Sequence, residues 1–196
     1  YCEEKVDDTI LKLPRVIHDY VDTDKLIMVG EIGAFNKFNN VDTDFSLNVT
    51  NSYSVAFLHS LGVKRITLSY ELSKTQIKNI VDNYIERYKK HPNLELIIFG
   101  KEEAMISKFN LNKLYNVDNT YLQDRFNNLY PIIVKNDLMR IYNYKYRKLE
   151  DFKDYFDIGI NNIINDIKNT LGYNDFVFEF DFYCCHKRGF SRIKAF

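Results

Sequence analysis

The chain has no tryptophan, three prolines, seven glycines, three cysteines and no surplus of either charge, Lys plus Arg and Asp plus Glu numbering 27 each. Each scarcity removes a class of protein. Cys2, Cys184 and Cys185 cannot build the disulfide framework of a small secreted domain, nor a spaced four-thiolate cage. The adjacent pair lies in the aromatic run DFVFEFDFYCC, where free cysteine behaves as a small buried hydrophobe. A formal net charge of zero gives no global field to draw a polyanion, although it permits a local basic patch. The longest apolar runs, LELIIFG and KLIMVG, fall far short of the roughly 20 residues a membrane-spanning helix needs. Familiar signatures are missing as well. The chain lacks G-x-G-x-x-G, G-x-x-x-x-G-K-S/T and G-x-S-x-G, and His18, His59, His91 and His186 have no metal-ligand spacing. These absences point to a cytoplasmic protein with no membrane segment.

What is present is alternation. Apolar runs of strand length, ILKLPRVI (10–17), KLIMVG (25–30), DFSLNV (44–49), KRITLS (64–69) and LELIIFG (94–100), are separated by stretches of helical period. SYSVAFLHSLG puts Val55, Phe57, Leu58 and Leu61 near one helical face and stops at Gly62. SKTQIKNIVDNYIERYKKH predicts a long helix capped by Ser73, with Ile77, Ile80, Val81, Tyr84 and Ile85 inward. Repeated strand, helix, strand passages predict a parallel sheet covered on both faces. From Met105 to Tyr130 the period fails. YPIIVK resumes a strand, DLMRIYNYK is ambiguous, and the stretch from Lys148 reads as helix, short strand at 158–163, and helix. The last 20 residues alternate like a half-exposed strand. No linker or repeat divides the chain, so residues 1–196 read as one domain, and because Tyr1 is not a natural start an upstream segment is expected to be missing.

In parallel α/β folds the chemistry sits at the carboxyl ends of the strands. Those positions hold Gly30, Glu31 and Gly33, then Asp44, Ser46, Asn48 and Asn51, then Ser69 and Glu71, then Gly100 and Lys101. As plain structural residues, Asp44, Ser52 and Ser73 would cap helices, and Asn48 and Asn51 would satisfy turn backbone. As a site, Asp44, Ser46 and Asn48 would alternate along a strand and face a barrel lumen.

The blocks GEIGAF, DFSLNVTNSYSVAFLHSLGVKRITLSYELS, LELIIFGKEEAMISKFN, LQDRFNNLYPIIV and IYNYKYRKLEDFKDYFDIGIN resemble, in order and spacing, successive blocks of peptidase family U32, the collagenase-like proteases. The resemblance covers about residues 11–167. It implies a TIM-barrel-like α/β fold with parallel strands, of which this chain supplies the later βα units and lacks the first strands. It also implies, despite the family name, a part in RNA modification: hydroxylation of a tRNA uridine, dependent on prephenate, or of a ribosomal RNA cytidine. The expected partners are tRNA or rRNA, a small acidic metabolite and a U32 paralogue. The expected substrate-binding residues are Asp44, Ser46, Asn48, Asn51, Ser69, Glu71 and Lys101. Relatives hold an iron–sulfur cluster on four cysteines, but here the M-x-S-x-Y-C-P block reads MISKFNL, with Asn110 and Leu111 at the Cys and Pro positions, and no cysteine flanks Asp124 and Arg125. A carboxamide replaces a thiolate in neither charge nor softness, so no cluster is expected. The alternatives are a peptidase, as the family name says, and a non-catalytic binding barrel.

Overall fold

Six strands run parallel and lie side by side in chain order. They are β2 (Ile10–Lys12), β3 (Leu26–Val29), β4 (Val41–Thr43), β5 (Ile66–Thr67), the first half of β6 (Leu94–Ser107) and β10 (Asn162–Asn165). A doubly wound sheet reverses its order at a switch point, whereas a β/α barrel never does. The curled sheet is therefore an open part of a β/α barrel, as the sequence predicts. β1 (Glu4–Asp7) adds an antiparallel edge beside β2. The structure, a computed structural model, describes residues 4–7, 10–13, 15–16, 26–116, 121–135 and 138–165. The expected helix after residue 165, the aromatic tail, all three cysteines and His18 lie outside these residues.

Two helices cover the convex face. In α1 (Ser52–Ser60), Val55 and Leu58 are buried, while Phe57 and Leu61, expected on the same face, stay 52% and 46% exposed. The run is short, and only one side of it meets the sheet. The long helix α2 (Lys74–Tyr88) opens on a capping box in which Ser73 and Gln76 satisfy each other's backbone N–H groups. Its Ile77, Ile80, Val81 and Tyr84 recur at helical spacing and pack on Ile66, Leu68, Leu94 and Leu96 of the sheet. His59 fastens the end of α1 to the start of β6. Its Nε2 accepts the Asn93 backbone N–H at 3.3 Å, so Nδ1 carries the proton and donates to the Val63 carbonyl at 2.9 Å.

The segment without period is a second sheet region built on the same strand. β6 continues to Ser107 and leaves the barrel, pairing antiparallel with β9 (Leu138–Lys148), which pairs with β8 (Leu129–Lys135) and then β7 (Tyr121–Gln123). DLMRIYNYK is thus a strand, and Met105 to Tyr130 contains the end of β6, the short α3 (Leu111–Tyr115) and β7. Bulges in the β6–β9 ladder break its alternation and hide the strands from period counting. The chain then forms α4 (Lys153–Asp157) and turns at Gly159 into β10. Gly159 has φ +100, and an added Cβ would lie 2.8 Å from Val81 Cγ1, so glycine is required twice over. That turn shifts the expected strand at 158–163 to Asn162–Asn165.

DFSLNV is not a strand. β4 ends at Thr43, and Asp44 caps a 3₁₀ turn over Phe45–Leu47, its carboxylate accepting the Ser46 backbone N–H at 2.7 Å. Asn48 closes the turn in the left-handed region at φ 49. Short side chains that bond their own backbone favour such turns over ladder pairing.

Candidate functional site

Alternation along the strands divides the sheet residues between two environments. Ile66, Leu68, Leu94 and Leu96 face the helices, so Thr67 and Glu95 between them face the concave side. There a buried charged layer forms the floor. Arg65 donates from Nε at 3.1 Å to Asp42 Oδ2, with its Nη2 3.0 Å from the same oxygen, and from Nη1 at 3.2 Å to Glu95 Oε2. Thr67 donates its hydroxyl toward Glu95 at 2.8 Å and the Thr43 carbonyl at 2.6 Å. Asp42 and Glu95 are 1% and 3% exposed. Burial pushes both carboxyls above their ordinary range, with Arg65 pulling back only in part.

Above the floor, at the carboxyl ends of the strands, a second cluster gathers. The Asp44 carboxylate accepts from the Ser46 hydroxyl through Oδ1 and lies 3.4 Å from Lys12 Nζ through Oδ2. Arg15 binds Glu103, which also sits 3.3 Å from Arg140 Nε. Burial raises the Glu103 pKa, and Arg15 and Arg140 oppose the shift. Phe45 lies beneath Lys12 and Arg15, at 5.6 and 5.7 Å, and packs on Tyr70 with 4.5 Å between centroids. Arg147 closes this rim, donating to the Tyr70 carbonyl at 2.7 Å and to Glu102 at 2.8 Å. A Cβ on Gly30 would collide with the Ser46 hydroxyl and come within 3.0 Å of Arg15 Cγ and Asp44 Oδ1, so the glycine of GEIG lets three site residues converge.

Of the residues expected from the sequence, Asp44 and Ser46 lie in this mouth. Ser69 is buried at the end of β5, its Oγ accepting the Glu71 backbone N–H at 3.3 Å, and Glu71 itself is exposed. Asn48 is exposed, and Asn51 caps α1 by accepting the Tyr53 and Ser54 N–H groups at 3.0 and 2.9 Å. Lys101 stands on the antiparallel extension, 4.8 Å over the Tyr146 ring, its pKa lowered by burial. The proposed strand row of Asp44, Ser46 and Asn48 therefore gives way to a turn that holds only the first two together. Lys12, Arg15, Asp42, Arg65, Glu95, Glu103 and Arg140 escaped the sequence reading. A signal for Glu95 was there, since a lone carboxylate between Leu94 and Leu96 in a parallel strand has to face a partnered interior.

The sequence model of peptidase family U32 matches residues 9–115, more than half of the chain and the whole span from β2 to α3. The chain belongs to peptidase family U32. No curated protein and no solved structure matches it. In this U32 chain the family segment carries Lys12, Asp44, Ser46 and Glu103, while Arg140 arrives from β9 beyond it. No helix among the described residues is long and apolar enough to cross a membrane. At the position where the family resemblance leads one to expect a cluster-binding thiolate, Asn110 caps α3 by accepting the Lys113 N–H at 3.2 Å. Asp124 holds a turn, its carboxylate accepting from Phe126 N, Asn128 N and Asn128 Nδ2 at 2.8 to 2.9 Å, and these bonds lower its pKa. The Asn110 side-chain oxygen is already used by the fold, and a carboxamide does not suit an iron–sulfur cluster.

Proposed function

We propose that this U32 chain serves RNA hydroxylation in the cytoplasm as an anion-binding component, acting beside a cluster-bearing paralogue. The observation that carries the reading is the mouth itself. Lys12, Arg15 and Arg140 converge from β2, the segment after it and β9 on Asp44 and Glu103. A partly desolvated site that gathers two guanidinium groups and an ammonium suits a small acid or a nucleotide phosphate, and guanidinium forks recognise either group bidentately. Glu103 sets the orientation of Arg15 and Arg140, Phe45 gives Lys12 and Arg15 an aromatic floor, and Ser46 offers a hydroxyl beside Asp44. The work of these residues is to bind and orient. The redox step falls to the partner, because Asn110 stands where the family resemblance expects a thiolate and no cysteine flanks Asp124 and Arg125.

The peptidase reading finds no comparable support among the described residues. The Ser46 hydroxyl is given to Asp44, Ser69 serves the Glu71 amide, and both ring nitrogens of His59 are engaged on the helical side of the sheet. A nucleophile with a free base to activate it is the minimum for acyl transfer. The direct test removes the gene and quantifies nucleosides in digested tRNA and rRNA by mass spectrometry. Loss of one hydroxylated uridine or cytidine supports the proposal. Unchanged RNA would leave a non-catalytic binding barrel.

A further inference from the structure

Two guanidiniums share one carboxylate in the mouth, and they are not equivalent. The Glu103 side chain is 9% exposed, that of Arg140 8% and that of Arg15 27%. Arg140 is therefore the inner partner and Arg15 the outer one. Among the described residues Glu103 is the one carboxylate within ion-pair reach of Arg15, so an anion that binds this guanidinium has to compete with it. A buried carboxylate stripped of every cation is strongly destabilised, whereas one that gives up a cation and keeps another stays compensated. Glu103 can release Arg15 on those terms.

The backbone around Glu103 fits such an exchange. In the β6–β9 ladder the register shifts between Lys101 and Glu103 and again between Glu103 and Met105, so Glu103, opposite Tyr142, has a bulge on each side. Bulges leave the ladder locally disrupted, and the Glu103 side chain can re-aim without tearing a regular run of hydrogen bonds. Arg15 has a support of its own, because its guanidinium lies 5.7 Å from the centroid of Phe45. The ring holds the cation over the strand ends whichever oxyanion it grips.

We infer that Arg15 is the ligand-binding arm of the mouth, exchanging Glu103 for a carboxylate or phosphate of the ligand while Arg140 stays on Glu103. The inference rests on the anion-binding reading of the mouth and goes beyond it by giving the three side chains different tasks. Arg15 binds, Arg140 retains, and Glu103, besides orienting both guanidiniums, competes with the ligand for one of them. A carboxylate that only oriented the two cations would respond to neutralisation in the opposite way, since its loss could only weaken anion binding.

Calorimetric titration of the full chain with inorganic phosphate, at neutral pH and low salt, tests this. Glu103→Gln leaves Arg140 a carbonyl acceptor and removes the competing charge, so phosphate should bind about tenfold tighter than to wild type. Arg15→Gln should weaken binding about tenfold or more, since a charge-assisted bond to the ligand is lost. Arg140→Gln leaves Glu103 with Arg15 alone and should also weaken binding, and adding Glu103→Gln to it should restore affinity to the wild-type level or above. Binding by Glu103→Gln no tighter than by wild type, or no recovery in the Arg140→Gln, Glu103→Gln double variant, would refute the exchange. So would a failure of both wild type and Glu103→Gln to bind millimolar phosphate. Should Glu103→Gln lose its native circular dichroism, heteronuclear NMR of the arginine Nε–H groups in wild type decides. Phosphate should shift the Arg15 signal, assigned with Arg15→Gln, more than that of Arg140, and an unmoved Arg15 signal refutes the exchange. Tighter binding by Glu103→Gln with unchanged RNA nucleosides on gene removal would uphold the exchange and overturn the hydroxylation reading alone. Loss of a hydroxylated nucleoside on gene removal, with weaker binding by Glu103→Gln, would do the reverse.

Discussion

Replacing Arg65 by methionine tests whether the concave face of the half-barrel is a dry interior. Arg65 is the single guanidinium between Asp42 and Glu95, and both carboxylates are almost wholly buried. Truncation of one partner in such a group leaves uncompensated buried charge, which costs about 3–5 kcal/mol. The carboxyls can escape part of that cost by protonation. Both already titrate above their ordinary values because burial disfavours the charged form. A group whose native pKa is raised contributes stability that is fully present below the unfolded carboxylate range of about 4 and is lost as pH rises through the native value. Removing Arg65 raises both values further. The deficit of Arg65→Met should therefore be small near pH 4 and reach its full size by pH 7, measured by urea denaturation of wild type and variant across that range. Adding Asp42→Asn and Glu95→Gln to Arg65→Met removes the stranded charges and should recover most of the loss at pH 7. A deficit under about 1 kcal/mol at neutral pH, or one that does not change with pH, would mean that water reaches these groups and that the interior is not desolvated.

Other perturbations follow from the same structure. Glu95→Gln alone keeps a hydrogen-bonding group beside Thr67 and Arg65 and abolishes one raised titration, so wild type should lose stability relative to this variant as pH rises from about 4 toward 7 in paired denaturant curves. Gly30→Ala places a methyl group against Ser46, Arg15 and Asp44 and should cost about 1–3 kcal/mol while abolishing the proposed RNA modification, since the three site residues cannot all keep their places. Ser73→Ala breaks the capping box of α2 and should lower stability by about 1 kcal/mol in thermal unfolding with nucleoside levels untouched.

The helices and parallel strands were legible because period and capping report local physics. Ser73 with Gln76, the run Ile77, Ile80, Val81 and Tyr84, and the glycine after α1 each predict their element without tertiary information. Asp44 and Ser46 were legible as polar groups at a strand's carboxyl end, and the structure holds them together in one turn. The antiparallel extension was not. Its strands carry bulges and expose rings such as Tyr146 on one face, so neither alternation nor continuous apolarity marks them. The cationic half of the mouth was hidden too. Arg15, Glu103 and Arg140 are distant in sequence, and only the departure of β6 from the barrel brings Glu103 and β9 over the strand ends. Asn48 closes the turn through its left-handed backbone, a placement that the alternating-strand reading did not foresee.

The most direct measurement of the central claim is nucleoside mass spectrometry on RNA from cells lacking the gene and complemented either with wild type or with Arg15→Gln, Arg140→Gln, Glu103→Gln, which leaves Lys12 and Asp44 as a balanced pair. Anion binding at the mouth predicts that wild type restores the hydroxylated nucleoside and that the triple variant, present at equal level and folded, does not. Full restoration by the triple variant would contradict it.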